Sequence, residues 1–187
     1  FGAVNVNRFF TPVPGQPRVA MVLKEADQKG AIGETWHTDH SYDQAPAMCS
    51  ILHCVEVPEV GGDTSFCSMA AVYEGLSDRM QNFLSGLEAV HDLGPFKTLF
   101  PDTEEGRRNM HLAEEKYAPV THPMIRVHPI TGKKALFVNP QFTVKIKGME
   151  KEESDAILDM LFRKTLRHEY QYRHHWQPNM VVFWDNR

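Results

Sequence analysis

Tyr170-Gln-Tyr-Arg-His-His-Trp176, Gln177-Pro-Asn179 and Met180-Val-Val-Phe-Trp184 follow one another without interruption. Rings alternate with polar residues in the first stretch, the period of a strand with one face turned inward. The next three residues are turn formers, and the last five are dominated by β-branched and aromatic side chains. Together they predict a β-hairpin. Moving toward the N-terminus, Glu150 to Tyr170 places Ile157, Leu158, Leu161, Phe162 and Leu166 on one stripe, which predicts the best helix in the chain. Met124–Val127 and Ala135–Asn139, joined through Thr131-Gly132, predict another hairpin. Ala70 to Leu87 predicts two short helices broken near Ser77, and Gly61-Gly62-Asp63 is a turn leading into a short strand at Thr64-Ser-Phe66. Met48 to Val57, closed by Pro58, reads as a buried strand; Thr35 to Tyr42 reads as a second; Val19 to Leu23 reads as a third, entered from a Pro/Gly-rich loop. Pro101 to Pro119 is polar and poorly patterned, the signature of a flexible excursion or lid. Many short strands, a few covering helices, no βαβ alternation and no repeat predict a mainly β fold, a double-stranded β-helix or jelly roll.

Composition narrows the function. At 187 residues the chain is expected to form one jelly-roll domain over 1–187. Twenty basic against twenty-four acidic residues, with no long run of either sign, give no footprint for nucleic acid or an anionic membrane. The three cysteines, Cys49, Cys54 and Cys67, contain no C-x-x-C pair, which argues against a disulfide framework or zinc knuckle and for a reducing, cytoplasmic setting. No apolar run approaches the roughly 18 residues of a membrane span. The chain begins at Phe1 and stops at Arg187 directly after an apolar run, so it is expected to be incomplete at both ends.

His37-Thr38-Asp39 carries the most chemistry. Residues i and i+2 of a strand project from one face, so an imidazole and a carboxylate can converge on one metal ion. Two histidines and a carboxylate on one face of an octahedron leave three positions open, an arrangement suited to non-haem Fe(II). By itself the tripeptide better fits a hydrogen-bonded histidine beside a solvated aspartate, and chance alone supplies roughly 0.5 such tripeptides in a chain of this composition.

The wider context is an ordered set: Trp36-His37-Thr38-Asp39, Gly61-Gly62-Asp63-Thr64, Leu136-Phe137-Val138-Asn139 with Phe142-Thr143, and Trp176-Gln177-Pro178-Asn179 leading to Trp184-Asp185-Asn186-Arg187. Over nearly the whole chain this set resembles the taurine/2,4-dichlorophenoxyacetate dioxygenase family. The resemblance implies an enzyme using Fe(II), 2-oxoglutarate and O2, with His37 and Asp39 as metal ligands. It implies that Thr64 hydrogen-bonds the distal carboxylate of 2-oxoglutarate and that Trp184 lies near that co-substrate. A third ligand, a histidine, and an arginine pairing with 2-oxoglutarate follow D-N-R in the family and are expected beyond Arg187. The stretch holding His122 and His128 and the pair His174-His175 match parts of the family that do not ligate iron, and these histidines, with His168, are read as structural or surface residues. The implied reaction hydroxylates a substrate C–H with release of succinate and CO2.

The resemblance further implies a small, anionic substrate of sulfonate, sulfate ester or aryloxyalkanoate type, and a homo-oligomer. His40, directly after the metal carboxylate, and Arg8, which with Asn7 stands where taurine-specific members place a sulfonate-binding histidine, are candidate substrate contacts. A non-oxidative jelly-roll metalloprotein, an inactive homologue and a metal-free binding module are the alternatives left open.

Overall fold

Most of the strand-forming runs find partners, and every pairing is antiparallel. A computed structural model of the protein describes residues 2–6, 10–25, 33–93, 104, 107–108, 111 and 117–187. Contacts divide the chain into two units, Phe1–Trp36 and His37–Arg187. The first holds a small hairpin of β1 (Pro12–Val13) and β2 (Gln16–Ala20). The expected strand at Val19–Leu23 is thus displaced toward the N-terminus, because its pairing partner is the short β1 across the Gly15 turn.

In the second unit β3 (Cys49–His53) pairs with β11 (Val181–Asp185), and β4 (Thr64–Cys67) pairs with β10 (Gln171–His174). Between them in sequence lie β5 (Glu88–His91), flanked by β6 (Val120–Pro123) and β9 (Thr143–Ile146), and the hairpin of β7 (Ile125–Val127) with β8 (Lys134–Leu136). Among the helices that accompany these strands are α1 (Met69–Glu74), α2 (Asp78–Leu84) and α3 (Lys151–Thr165). The architecture is mainly β with a few helices. α1 lies on β8 and α3 on β9, enclosing a core that includes Val72, Leu84, Met124, Leu136, Ile146 and Leu161.

Caps explain the helix boundaries. Ser68 and Ser77 each accept a hydrogen bond from the backbone N–H three residues on, so the break near Ser77 is the N-cap of α2. In α3 the buried stripe is Ser154, Leu158, Leu161 and Thr165, whereas Leu166, past the last turn, is 52% exposed. Two polar residues sit on that stripe because both are hydrogen-bonded: Ser154 Oγ accepts from the Ile146 N–H at 2.8 Å and Thr165 donates to the Phe162 carbonyl at 2.7 Å. Replacing Ser154 with Ala leaves a buried N–H of β9 unsatisfied and is expected to cost about 1–3 kcal/mol in denaturant unfolding.

Three expectations fail, each for a physical reason. Tyr170–Trp184 is not a hairpin, because its two strands pair with different partners. At the start of β4 Asp63 accepts from Arg173 Nε at 2.7 Å and His175 Nδ1 at 2.8 Å, which adds to the β10–β4 ladder. The chain then crosses through Asn179, whose φ of 68° reverses it and whose N–H donates to the Cys54 carbonyl. Thr35–Tyr42 forms no strand; Trp36–Thr38 hold no regular structure and a turn begins at Asp39. Met48–Val57 contributes only Cys49–His53 to a ladder and is not buried, Ile51 being 66% and Val55 76% exposed, because β11 covers its edge and not its faces. The excursion at Pro101–Pro119 falls mostly outside the described residues. No described helix is long and apolar enough to cross a membrane.

Candidate metal centre

His37 and Asp39 come together without a strand to align them. His37 Nε2 lies 3.3 Å from Asp39 Oδ1, with each side chain 28% exposed. The chain then turns, with the Ser41 N–H on the Thr38 carbonyl and the Asp43 N–H on the His40 carbonyl. His40 takes a left-handed φ of 59°, uncommon outside glycine. It is held there by an Asp43 carboxylate oxygen 3.0 Å from Nδ1 and by the Tyr42 ring.

The Asp39 carboxylate is oriented from behind. Ser50 donates to Oδ2 at 2.5 Å, and Asn186 Nδ2 donates to that serine oxygen at 3.0 Å. Oδ1 is thereby left toward His37, whose ring meets the edge of the buried Phe142. Burial pushes the Asp39 carboxyl up, but hydrogen bonds from His37 and Ser50, with the charges of His37 and His40, outweigh it and hold it below the usual carboxylate range.

This donor set fits a divalent metal. A partly buried, ionised carboxylate faces an imidazole, and among the described residues no Lys or Arg is within salt-bridge distance of it. Two donors about 2.1 Å from one ion and at right angles stand roughly 3 Å apart, close to the observed spacing. No group of three metal-ligating side chains occurs among the described residues. His122 is buried against the Asp43 carbonyl, His128 meets Asp185, His175 meets Asp63, His174 packs on Trp176, and His168 is exposed. His91, which sequence reasoning missed, is fully buried among His122, Phe137 and Thr143.

Thr64 opens β4 one residue beyond Gly61 and Gly62, whose φ values of 85° and 75° favour glycine. Its hydroxyl oxygen accepts from the Trp176 indole N–H at 2.9 Å. Trp184 is the cross-strand partner of Ser50, and its ring lies 5.4 Å from that of Phe66, two residues along β4 from Thr64. A chain of contacts thus leads from Asp39 through Ser50, Trp184 and Phe66 toward Thr64. Arg8 lies outside the described residues. Sequence reasoning gave no role to Ser50 or Asn186; the signals were a lone hydroxyl in an apolar run and an amide within D-N-R.

The sequence model of the taurine catabolism dioxygenase TauD, TfdA family matches residues 1–187. An alpha-ketoglutarate-dependent sulfonate dioxygenase of Saccharomyces cerevisiae is 35% identical over 177 residues, 93% of this chain and 40% of the relative. The crystal structure of a taurine dioxygenase from Burkholderia xenovorans superposes with a TM-score of 0.68 at 35% identity, over 82% of this chain and 49% of that one. That of AAD-2 in complex with Mn(II) and N-oxalylglycine gives a TM-score of 0.70 at 30% identity, over 81% and 58%. The chain therefore spans about half the length of the proteins it matches.

Proposed function

We infer the function from one premise: the chain belongs to the taurine catabolism dioxygenase TauD, TfdA family. On that premise the protein is an Fe(II)- and 2-oxoglutarate-dependent dioxygenase. It hydroxylates a small anionic substrate of sulfonate, sulfate ester or aryloxyalkanoate type and releases succinate and CO2. The observation that carries this reading is the ionised Asp39 carboxylate set 3.3 Å from His37 Nε2 with no competing cationic side chain among the described residues. A solved relative in complex with Mn(II) and N-oxalylglycine, a 2-oxoglutarate isostere, supports it.

Each residue then has a task. Iron bound there with 2-oxoglutarate and O2 supplies the oxidant for C–H hydroxylation. His37 and Asp39 hold the metal, and Ser50 with Asn186 keeps the carboxylate plane fixed. The Thr64 hydroxyl donates to the distal carboxylate of 2-oxoglutarate. Trp184 and Phe66 give that region an apolar wall that limits water. Arg8 is a proposed anion contact for substrate, while His40 would contribute only by giving up Asp43. The ladders β3–β11 and β4–β10, linked by the Phe66–Trp184 ring contact, are the core of a jelly roll, and we read both units as one domain of a cytoplasmic homo-oligomer.

Anaerobic titration of the full-length protein with Fe(II) and then 2-oxoglutarate tests the reading. A weak visible metal-to-ligand charge-transfer band is the expected result. Iron binding without the band would point to a non-oxidative metalloprotein, and no iron binding to a homologue that has lost the reaction. Replacing Ser50 with Ala frees the carboxylate to rotate and is expected to lower Fe(II) affinity about 10- to 100-fold in the same titration.

A further inference from the structure

We propose that Trp176 is a positioning residue whose indole N–H aims the Thr64 hydroxyl hydrogen at the distal carboxylate of the 2-oxo acid. The inference rests on the reading of Thr64 given above and deepens it, since Trp176 acts through Thr64. A threonine hydroxyl rotates freely and can donate or accept, whereas a carboxylate only accepts, so a threonine serving a carboxylate must present its hydrogen. Left to rotate, it pays for that choice at each binding event. An indole N–H is a donor and nothing else. At 2.9 Å from Thr64 Oγ1 it occupies one lone pair and makes unfavourable any rotamer that turns the hydroxyl hydrogen toward the indole. The hydrogen is directed elsewhere, and no acceptor for it is found among the described residues. The relay from indole N–H to hydroxyl to carboxylate also polarises the hydroxyl as a donor.

The indole is itself fixed. Trp176 is 6% exposed, and the His174 ring meets it edge to face at 4.6 Å and 87°. His174 is the cross-strand partner of Thr64 in the β4–β10 ladder, so hydroxyl, indole and imidazole form one cluster. Within it His174 Nε2 is buried and has no hydrogen-bond partner among the described residues. Buried polar atoms are rarely left so, and a second unsatisfied group on the residue opposite Thr64 marks this end of the ladder as a place that takes a polar ligand.

The test compares two keto acids on the full-length protein loaded anaerobically with Fe(II). 2-Oxoglutarate carries the distal carboxylate and 2-oxobutanoate lacks it; binding of each is read from the charge-transfer band. Trp176→Phe keeps a ring and removes the N–H. It is expected to weaken 2-oxoglutarate binding about 3- to 10-fold, the worth of one hydrogen bond, and to leave 2-oxobutanoate unchanged. Thr64→Val should lose the same selectivity, Thr64→Ser should keep it, and Trp176→Phe added to Thr64→Val should cost nothing more. Should the phenylalanine variant fold poorly, 3-benzothienylalanine placed at position 176, isosteric with sulfur in place of N–H, must give the selective loss. Equal weakening of both acids, or no change in either, overturns the proposal. If the unsubstituted protein gives no band, the dioxygenase reading falls first and this inference falls with it; if it gives the band and the variants keep full selectivity, this inference alone falls.

Discussion

Asp39→Ala is expected to abolish the 2-oxoglutarate charge-transfer band and to reduce succinate release by more than about a hundredfold, with the fold retained. Loss of a partner behind a metal ligand typically costs about 10- to 100-fold, and loss of the ligand itself removes more. The carboxylate is the one group of the pair that would carry charge to a metal, and it is held ionised against the effect of burial by His37 and Ser50. Asp39→Asn keeps the shape but offers a neutral acceptor, so it should be nearly as damaging as Ala. Retained fold would be read from an unchanged thermal transition of the metal-free protein. Variants that bind Fe(II) and turn over normally would remove Asp39 from the metal centre and leave His37–Asp39 as an ordinary hydrogen-bonded pair.

Acidification is expected to destabilise the protein through His91. In the unfolded chain an imidazole titrates near about 6.5. In the fold His91 is buried without exposed surface, and burial, reinforced by the neighbouring His122, holds it down to about 3. Between these values the unfolded chain binds a proton that the fold excludes, so the contribution is fully present above about pH 6.5 and is lost as the pH falls toward 3. Each pH unit in that window is worth about 1.4 kcal/mol, so the loss approaches about 5 kcal/mol at the acid end. His122, also held low by burial, acts in the same direction. His91→Phe keeps a ring against Phe137 and removes the proton site. Melting temperatures measured from pH 7 to pH 4 should fall less steeply for this variant than for the unsubstituted protein. Parallel curves would show that His91 does not carry the acid sensitivity.

Local signals were legible wherever local physics decides. Ser77 was marked by the sequence as a helix break because a serine caps its own helix, and Thr131-Gly132 as a turn because its residues suit one. The pairing of Tyr170–Trp184 was not legible. Two adjacent strands with turn formers between them are the pattern of a hairpin, and only the ladders to β4 and β3, more than a hundred residues earlier, decide otherwise. The stripe of α3 was misread at Ser154 and Thr165 for a related reason: a polar residue is buried when a partner elsewhere satisfies it, and hydropathy does not encode the partner.

By itself the sequence carried the mainly β character, because strand signals are short-range, and the family likeness, because its ordered motifs are read residue by residue. Tertiary structure alone decided what makes His37 and Asp39 a candidate site: which oxygen of Asp39 is left toward His37, through Ser50 and Asn186, and which residue holds the Thr64 hydroxyl, through Trp176. Those contacts join residues 11 to 136 positions apart, and a hydrogen bond is set by distance and direction in space, which no short-range pattern specifies.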